Sequence, residues 1–388
     1  MDPGAFCAQA RLLIVAGKGG VGKTTVTAAV ARLAARTGRD ALIIDMEGKS
    51  GLGSIFGYTE ALTYQEVVLA QADGPGFGEV RGRTLTPDDA LLEYLVDHGM
   101  QRISKRLASS GALDVVATAA PGIKDILVLG KVKQLERASA TGAPGAADLL
   151  VLDAPAAGHA FTFLASAQGL MDAVSVGPIR SQAADVLDML SDPDRCQVML
   201  VTLPEETPVN EVVETAFKLE DRIGVHLTPI VVNGLYPPLD LDIDVAQAAA
   251  AAGVPLTDAE VEALERAAAF RTHRQRLQAR QTDRLAEALP LAQLHLPFLF
   301  TTELGGAEID VLADALAAEL AKLADLPEPR PGAGEETNVA ASEGAGDATG
   351  APASGGRGSQ GSQGGRGGPG SPGGRGGRGG PAQAQAET

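Results

Sequence analysis

The chain of 388 residues has room for one large or two small domains, and its 45% hydrophobic content is ample for a core. Aromatic residues make up only 3% and Trp is absent, so Ala, Leu and Val must do the packing. A formal net charge of −17 argues against a nucleic-acid-binding body and against direct attachment to an anionic membrane surface.

The first element in chain order is Arg11-Leu-Leu-Ile-Val-Ala16, a short apolar run with the form of a buried parallel strand. It runs into Gly17-Lys-Gly-Gly-Val-Gly-Lys-Thr-Thr25, which fits the phosphate-loop pattern G-x-x-x-x-G-K-[ST] at Gly17, Gly22, Lys23 and Thr24. Thr24 to Arg36 is Ala-rich with helical periodicity. Strand, glycine loop and helix together are what phosphate binding needs. Backbone N–H groups from Gly17 through Thr25, including Gly19, Gly20 and Val21, can close around phosphates at a helix N-terminus, and Lys23 reaches the terminal ones. The Thr24 hydroxyl is placed to hold Mg²⁺.

After a helix stop at Gly38, Ala41 to Ile44 reads as a second strand, followed by Asp45, Met46 and Glu47. Pro87 to Ala140 breaks the alternation: several helical stretches occur without a convincing strand, so a helical insertion is expected over about 86–140, with an ordinary pair of packing helices as the alternative. Thr86-Pro-Asp-Asp opens one of these helices and Gly122-Ile-Lys-Asp another. Asp148 to Leu152 is a third strand. Its apolar run ends on Asp153, the form of a Walker B strand whose carboxylate supports Mg²⁺. Gln197–Thr202, Pro229–Val232 and Leu291–Leu296 are further strands. Gly158–Met171, Pro208–Ile223, Asp258–Leu289 and Ala307–Leu323 are helices. The alternation predicts an α/β fold with a doubly wound, mostly parallel sheet, and a ligand outside the carboxyl ends of its strands.

The folded domain is expected to cover residues 1–325. From Leu326 to Thr388 the composition turns to Gly, Pro, Ser, Gln and Glu with isolated Arg, which predicts a disordered tail. Arg366, Arg375 and Arg378 each precede Gly-Gly, in the manner of RNA-binding boxes. Acidic residues of the tail offset its arginines and no aromatics are interleaved, so a tethering or solubilising role is the expectation. Cys7 and Cys196 lie far apart without metal-ligand spacing, which suits a reducing cytoplasmic setting. Neither a signal-peptide pattern nor a membrane-spanning apolar run is read, so any membrane role is expected to act through a partner.

An ordinary phosphate loop does not need Lys18. The form G-K-G-G-x-G-K-T-T resembles the deviant Walker A loop of dimeric ATPases, namely the arsenite-pump ATPase, the tail-anchored-protein targeting ATPase and the cell-division and partition ATPases. In that group the early lysine reaches across a dimer interface to the partner's nucleotide. Phosphoryl transfer spreads negative charge over the γ-phosphate oxygens, and a cation supplied in trans stabilises it. The resemblance implies ATP and Mg²⁺ as cofactors, and a homodimer or a heterodimer with a related ATPase.

Asp153-Ala-Pro-Ala-Ala-Gly-His159 resembles the switch II signature D-T-A-P-T-G-H of the arsenite-pump branch, through Asp153, Pro155, Gly158 and His159. The first threonine is missing, and the second is replaced by Ala156 or Ala157. In switch I, Glu47 falls where that branch has an Asp that orients the attacking water, and Asp45-Met-Glu47 echoes the Asp-x-Asp of partition ATPases. Pro229-Ile-Val-Val-Asn233 resembles the strand whose terminal Asn reads the adenine edge, and Pro297-Phe298 the segment packed on the base. The likeness covers roughly residues 10 to 325 and is to the arsenite-pump, or anion-transporting, ATPase family. Metalloid binding, a shared zinc site and a Met-rich client groove are not carried over, because the cysteines and the insertion do not supply them. The resemblance implies an ATP-hydrolysing dimeric switch acting on a protein client or membrane partner. The altered switches leave open a non-hydrolytic regulatory subunit, and the loop leaves open a cell-division-type positioning ATPase.

Overall fold

The computed structural model describes residues 1–46, 51–97, 99–102, 106, 122–239 and 243–323. Glu47 and the predicted tail, residues 326–388, lie outside the described residues, as does the middle of the predicted insertion.

The sheet is laid out around its most apolar strand, β1 (Leu12–Gly17), buried at every position. β5 (Leu149–Ala156) and β6 (Cys196–Thr202) flank it, both parallel to it. β2 (Ala41–Asp45) and β4 (Val80–Thr84) extend the sheet on one side, and β8 (Ile230–Leu235) and β9 (Gln293–Pro297) on the other. The short β7 (His226–Leu227) pairs with β6, and β3 (Val67–Ala70) closes one edge antiparallel to β4. The order is β3-β4-β2-β5-β1-β6-β8-β9, so the predicted doubly wound, mostly parallel sheet is present.

Side-chain alternation divides the core into two layers. Leu12, Ile14, Leu150 and Leu152 face one layer, while Leu13, Val15, Leu149 and Val151 face the other. The second layer is filled by α1 (Pro3–Cys7), α2 (Lys23–Arg36), α3 (Leu52–Ile55) and α11 (Gly306–Lys322). The first is filled by α4 (Pro87–Asp97), α5 (Ile123–Ala140), α6 (Ala157–Ala173), α7 (Pro178–Ser191) and α8 (Glu206–Ile223). Between β8 and β9 lie α9 (Val245–Ala251) and the long α10 (Asp258–Ala288).

Two features differ from the sequence expectations. The interval after Glu47 contains strands β3 and β4, hidden by the charges of Val80-Arg-Gly-Arg-Thr84. Arg83 is buried there because Glu66 accepts its hydrogen bond at 3.3 Å and the Tyr64 ring lies 4.5 Å from its guanidinium carbon. The end of the predicted insertion, α5, is itself core: Ile126, Val128, Leu129 and Val132 are buried against the sheet layer. Glu136 of α5 is almost fully buried between Arg11 (2.7 Å) and Arg195 (2.7 Å), the residues just before β1 and β6. Burial alone would raise its carboxyl pKa, but hydrogen bonds from Arg195 and Arg11 outweigh that and hold it below its ordinary value.

Candidate functional site

The carboxyl ends of β1, β2 and β5 meet at the glycine loop. Gly17 ends β1 so close to β6 that a Cβ there would sit 2.3 Å from the Val201 carbonyl oxygen. Gly22 caps α2 at φ 90°, a left-handed conformation that favours glycine, and a Cβ on it would fall 2.3 Å from Asn233 Nδ2. Gly20, at φ 86°, faces open space, and Gly19 lies against Ala156 of the segment after Asp153. Val21 is buried and pins the loop to the core. The loop lies at the N-terminus of α2, where backbone N–H groups and the helix dipole favour an anion. Thr25 lies in the first turn of that helix.

The side chains around this cradle contact one another. The Thr24 hydroxyl donates to Asp153 Oδ2 at 2.6 Å. Asp153 stands in register with Asp45 on the adjacent strand, and both are buried, at 5% and 3% exposure. Two carboxylates and a hydroxyl at the mouth of the loop are hard oxygen donors, the kind that Mg²⁺ takes. Lys23 Nζ donates to the Lys18 carbonyl oxygen at 3.3 Å. Lys18 Nζ in turn forms an ion pair with Glu211 Oε1 of α8 at 2.5 Å. Pro155 is half-buried near the end of β5, and Gly158 and His159 are exposed in the first turn of α6, which starts directly after β5.

On the far side, Asn233 Nδ2 donates to the Val21 carbonyl at 2.9 Å, which ties the end of β8 to the loop. Pro297 is in register with Leu235, and Phe298 N–H donates to the Leu235 carbonyl at 2.7 Å. The Phe298 ring is packed with Tyr236 (5.2 Å between centroids) and Phe300 (4.9 Å), and the Arg271 guanidinium lies over the Tyr236 and Phe300 rings. Sequence reasoning did not single out Glu211, Tyr236, Phe300 or Arg271. The aromatics had a readable signal: with 9 Phe and 4 Tyr in the chain, Tyr236 and Phe298-Leu-Phe300 both fall just after strand ends. Glu211 had none, being 193 residues from Lys18.

The two cysteines lie on separate elements, Cys7 in α1 and Cys196 in β6, and both are buried. Burial pushes the Cys7 thiol up to about 11 and raises Cys196 further. No helix among the described residues is long and apolar enough to cross a membrane.

The family model described as Anion-transporting ATPase matches residues 10–176, from just before β1 into the segment after α6. ATPase BagA of Mycobacterium tuberculosis (strain H37Rv) is 32% identical over 302 residues, a span of 74% of this chain and 87% of that protein. The chain belongs to the anion-transporting ATPase family. Arsenical pump-driving ATPases of Escherichia coli and Acidiphilium multivorum are more distant members, 27% and 26% identical over 256 residues, covering 61% of this chain and 41% of their own lengths. Family membership makes this an ATPase-type nucleotide-binding protein, and the glycine loop lies within the matched residues.

Proposed function

We propose that the chain is a Mg²⁺-dependent ATP hydrolase that works as a dimer and passes its nucleotide state to a protein client or membrane partner. The observation that carries this reading is the contact of Thr24 with Asp153 beside the Gly17–Thr24 cradle. Thr24 and Asp153 would hold Mg²⁺, which when bound offsets the phosphate charge. Backbone N–H groups of the loop bind the phosphates, and Lys23 exchanges the Lys18 carbonyl for a terminal phosphate oxygen. Asp45, buried next to Asp153, supports the switch I side, where Glu47 is assigned to orient water. Lys18 serves the partner's site, placing a cation where negative charge develops. Asn233 reads the base edge, with Pro297 and Phe298 packed on the base. Gly158 and His159, at the junction of β5 and α6, carry the nucleotide state outward.

Steady-state hydrolysis measured against protein concentration, with Lys23→Ala as the blank, tests this. Specific activity should rise with concentration, and Lys18→Ala should keep ATP binding and lose turnover. Turnover that Lys18→Ala leaves untouched would refute the role in trans. Tight Mg-ATP binding without turnover above the blank would favour a regulatory subunit.

A further inference from the structure

Both lysines of the phosphate loop are held by oxygens of their own chain, and the two contacts are in series. Lys23 donates to the backbone carbonyl of Lys18, and the side chain of Lys18 donates to Glu211. One residue thus takes a contact from the nucleotide-facing lysine and makes another to α8. The two ends differ in freedom. α8 is anchored in the core by Val209, Val212, Ala216 and Leu219, so the Glu211 carboxylate is presented from a rigid element. Lys18 precedes Gly19 and Gly20, and Gly20 has nothing within 4 Å of where a Cβ would be.

We propose that Glu211 is a latch on Lys18. It holds the Lys18 ammonium in cis, and this contact must be given up before Lys18 can reach a phosphate across a dimer interface. The inference rests on the role in trans proposed above. Its energetics suit an exchangeable contact. The two side chains are 36% and 39% exposed, so the pair is worth only what a solvated surface bridge is worth. Phosphate groups present several oxygens and more negative charge than one carboxylate, so they outcompete it. Nucleotide binding also acts at the other end of the series: when Lys23 turns to a phosphate, the Lys18 carbonyl loses its donor and the peptide that carries Lys18 is released from that side.

Two measurements on the full chain test the latch. The first is the rate at which an N-hydroxysuccinimide ester acylates Lys18 in nucleotide-free protein, read by peptide mass spectrometry with the other lysines as internal controls. Glu211→Gln should speed acylation of Lys18 several-fold and Glu211→Asp should return it toward wild type, with the other lysines unmoved. The second is sedimentation velocity with Mg²⁺ and a non-hydrolysable ATP analogue. Glu211→Gln should reach half-association at a protein concentration roughly two- to fivefold lower, the fold-change that one surface ion pair can supply. Acylation of Lys18 that ignores Glu211→Gln overturns the latch. Faster acylation with an unchanged association midpoint overturns the competition. If neither protein associates, the dimeric reading fails while the acylation rates still report the contact in cis.

Discussion

The two flanks of the proposed nucleotide cradle, one for the phosphates and one for the base, are held by different physics. On the phosphate flank, α2 has nine buried residues in 14 and packs by apolar contact on α11 and β5, with Arg32 and Arg36 also paired to Asp310 and Asp314 of α11. On the base flank, α10 runs for 31 residues with only Gln278 and Leu285 buried. Its near end is closed by a capping box between Thr257 and Glu260. Its attachment to β8 is polar: Gln278 accepts from Tyr236 N–H at 2.9 Å and donates to the Gly234 carbonyl at 3.0 Å, and Arg271 and Gln275 both donate to the Pro237 carbonyl. Close apolar packing tolerates little movement, whereas hydrogen bonds at a half-wet surface can be exchanged with water. The phosphate flank is built to be rigid, and the base flank to be adjustable.

The largest effect is expected beneath the phosphate flank. Glu136 joins the chain segments that enter β1 and β6, so Glu136→Ala would leave Arg11 and Arg195 without their shared carboxylate. The expected loss is about 3 kcal/mol, at the low end for a broken buried pair because both arginines reach solvent. Urea melts should show it, at a midpoint well below wild type. The pH dependence has a definite sign. The folded state holds the Glu136 carboxyl below its ordinary 4.5, so its contribution is present above that pH and is lost as pH falls below it. The gap between wild type and Glu136→Ala should therefore narrow in acid; a gap that widens would contradict the assignment.

These flanks also differ in how much of them could be read from sequence. The glycine loop, β1 and Asp153 were legible because local backbone chemistry fixes them: glycines where φ is positive, an apolar run where both faces are buried, a carboxylate where a strand ends. β4 was illegible because Arg81 and Arg83 look like surface residues until Glu66 and the Tyr64 ring are beside them. α5 looked inserted because no strand is legible between it and the helical stretch that opens at Pro87. Its place in the core rests in part on Lys133 and Glu136, charges that are buried against Asp185, Arg11 and Arg195. Asn233 was legible as a strand-end amide, but its bond to Val21, 212 residues away, depends on β8 and β1 running parallel in one sheet with β6 between them.

A smaller effect is expected on the base flank. Gln278→Ala removes the side chain that satisfies both Tyr236 N–H and the Gly234 carbonyl, and should cost about 1–3 kcal/mol. Because these groups lie near the surface, water can replace part of what is lost, so the change should fall below that of Glu136→Ala. Hydrogen exchange should sharpen this: faster exchange at Tyr236, with the amides of β1 unchanged. Acceleration spread evenly across the sheet would mean that the two flanks unfold as one unit.

The finest cut separates the flanks by ligand. Phe298→Ala trims the ring that packs on Tyr236 and Phe300 without touching the glycine loop. Stacking of a base on an aromatic ring is worth about 1–3 kcal/mol by alanine substitution, and the exposure of Phe298 puts this case near the lower end. ATP affinity should fall about fivefold, which corresponds to about 1 kcal/mol. Inorganic tripolyphosphate carries the phosphates and no base, so its affinity should be unchanged by Phe298→Ala. The comparison is made by competition against a fluorescent ATP analogue on both proteins. Equal loss for the two ligands would mean that the ring supports the loop through β8 rather than contacting the base, since Asn233 is the bridge by which such a distortion would reach Val21.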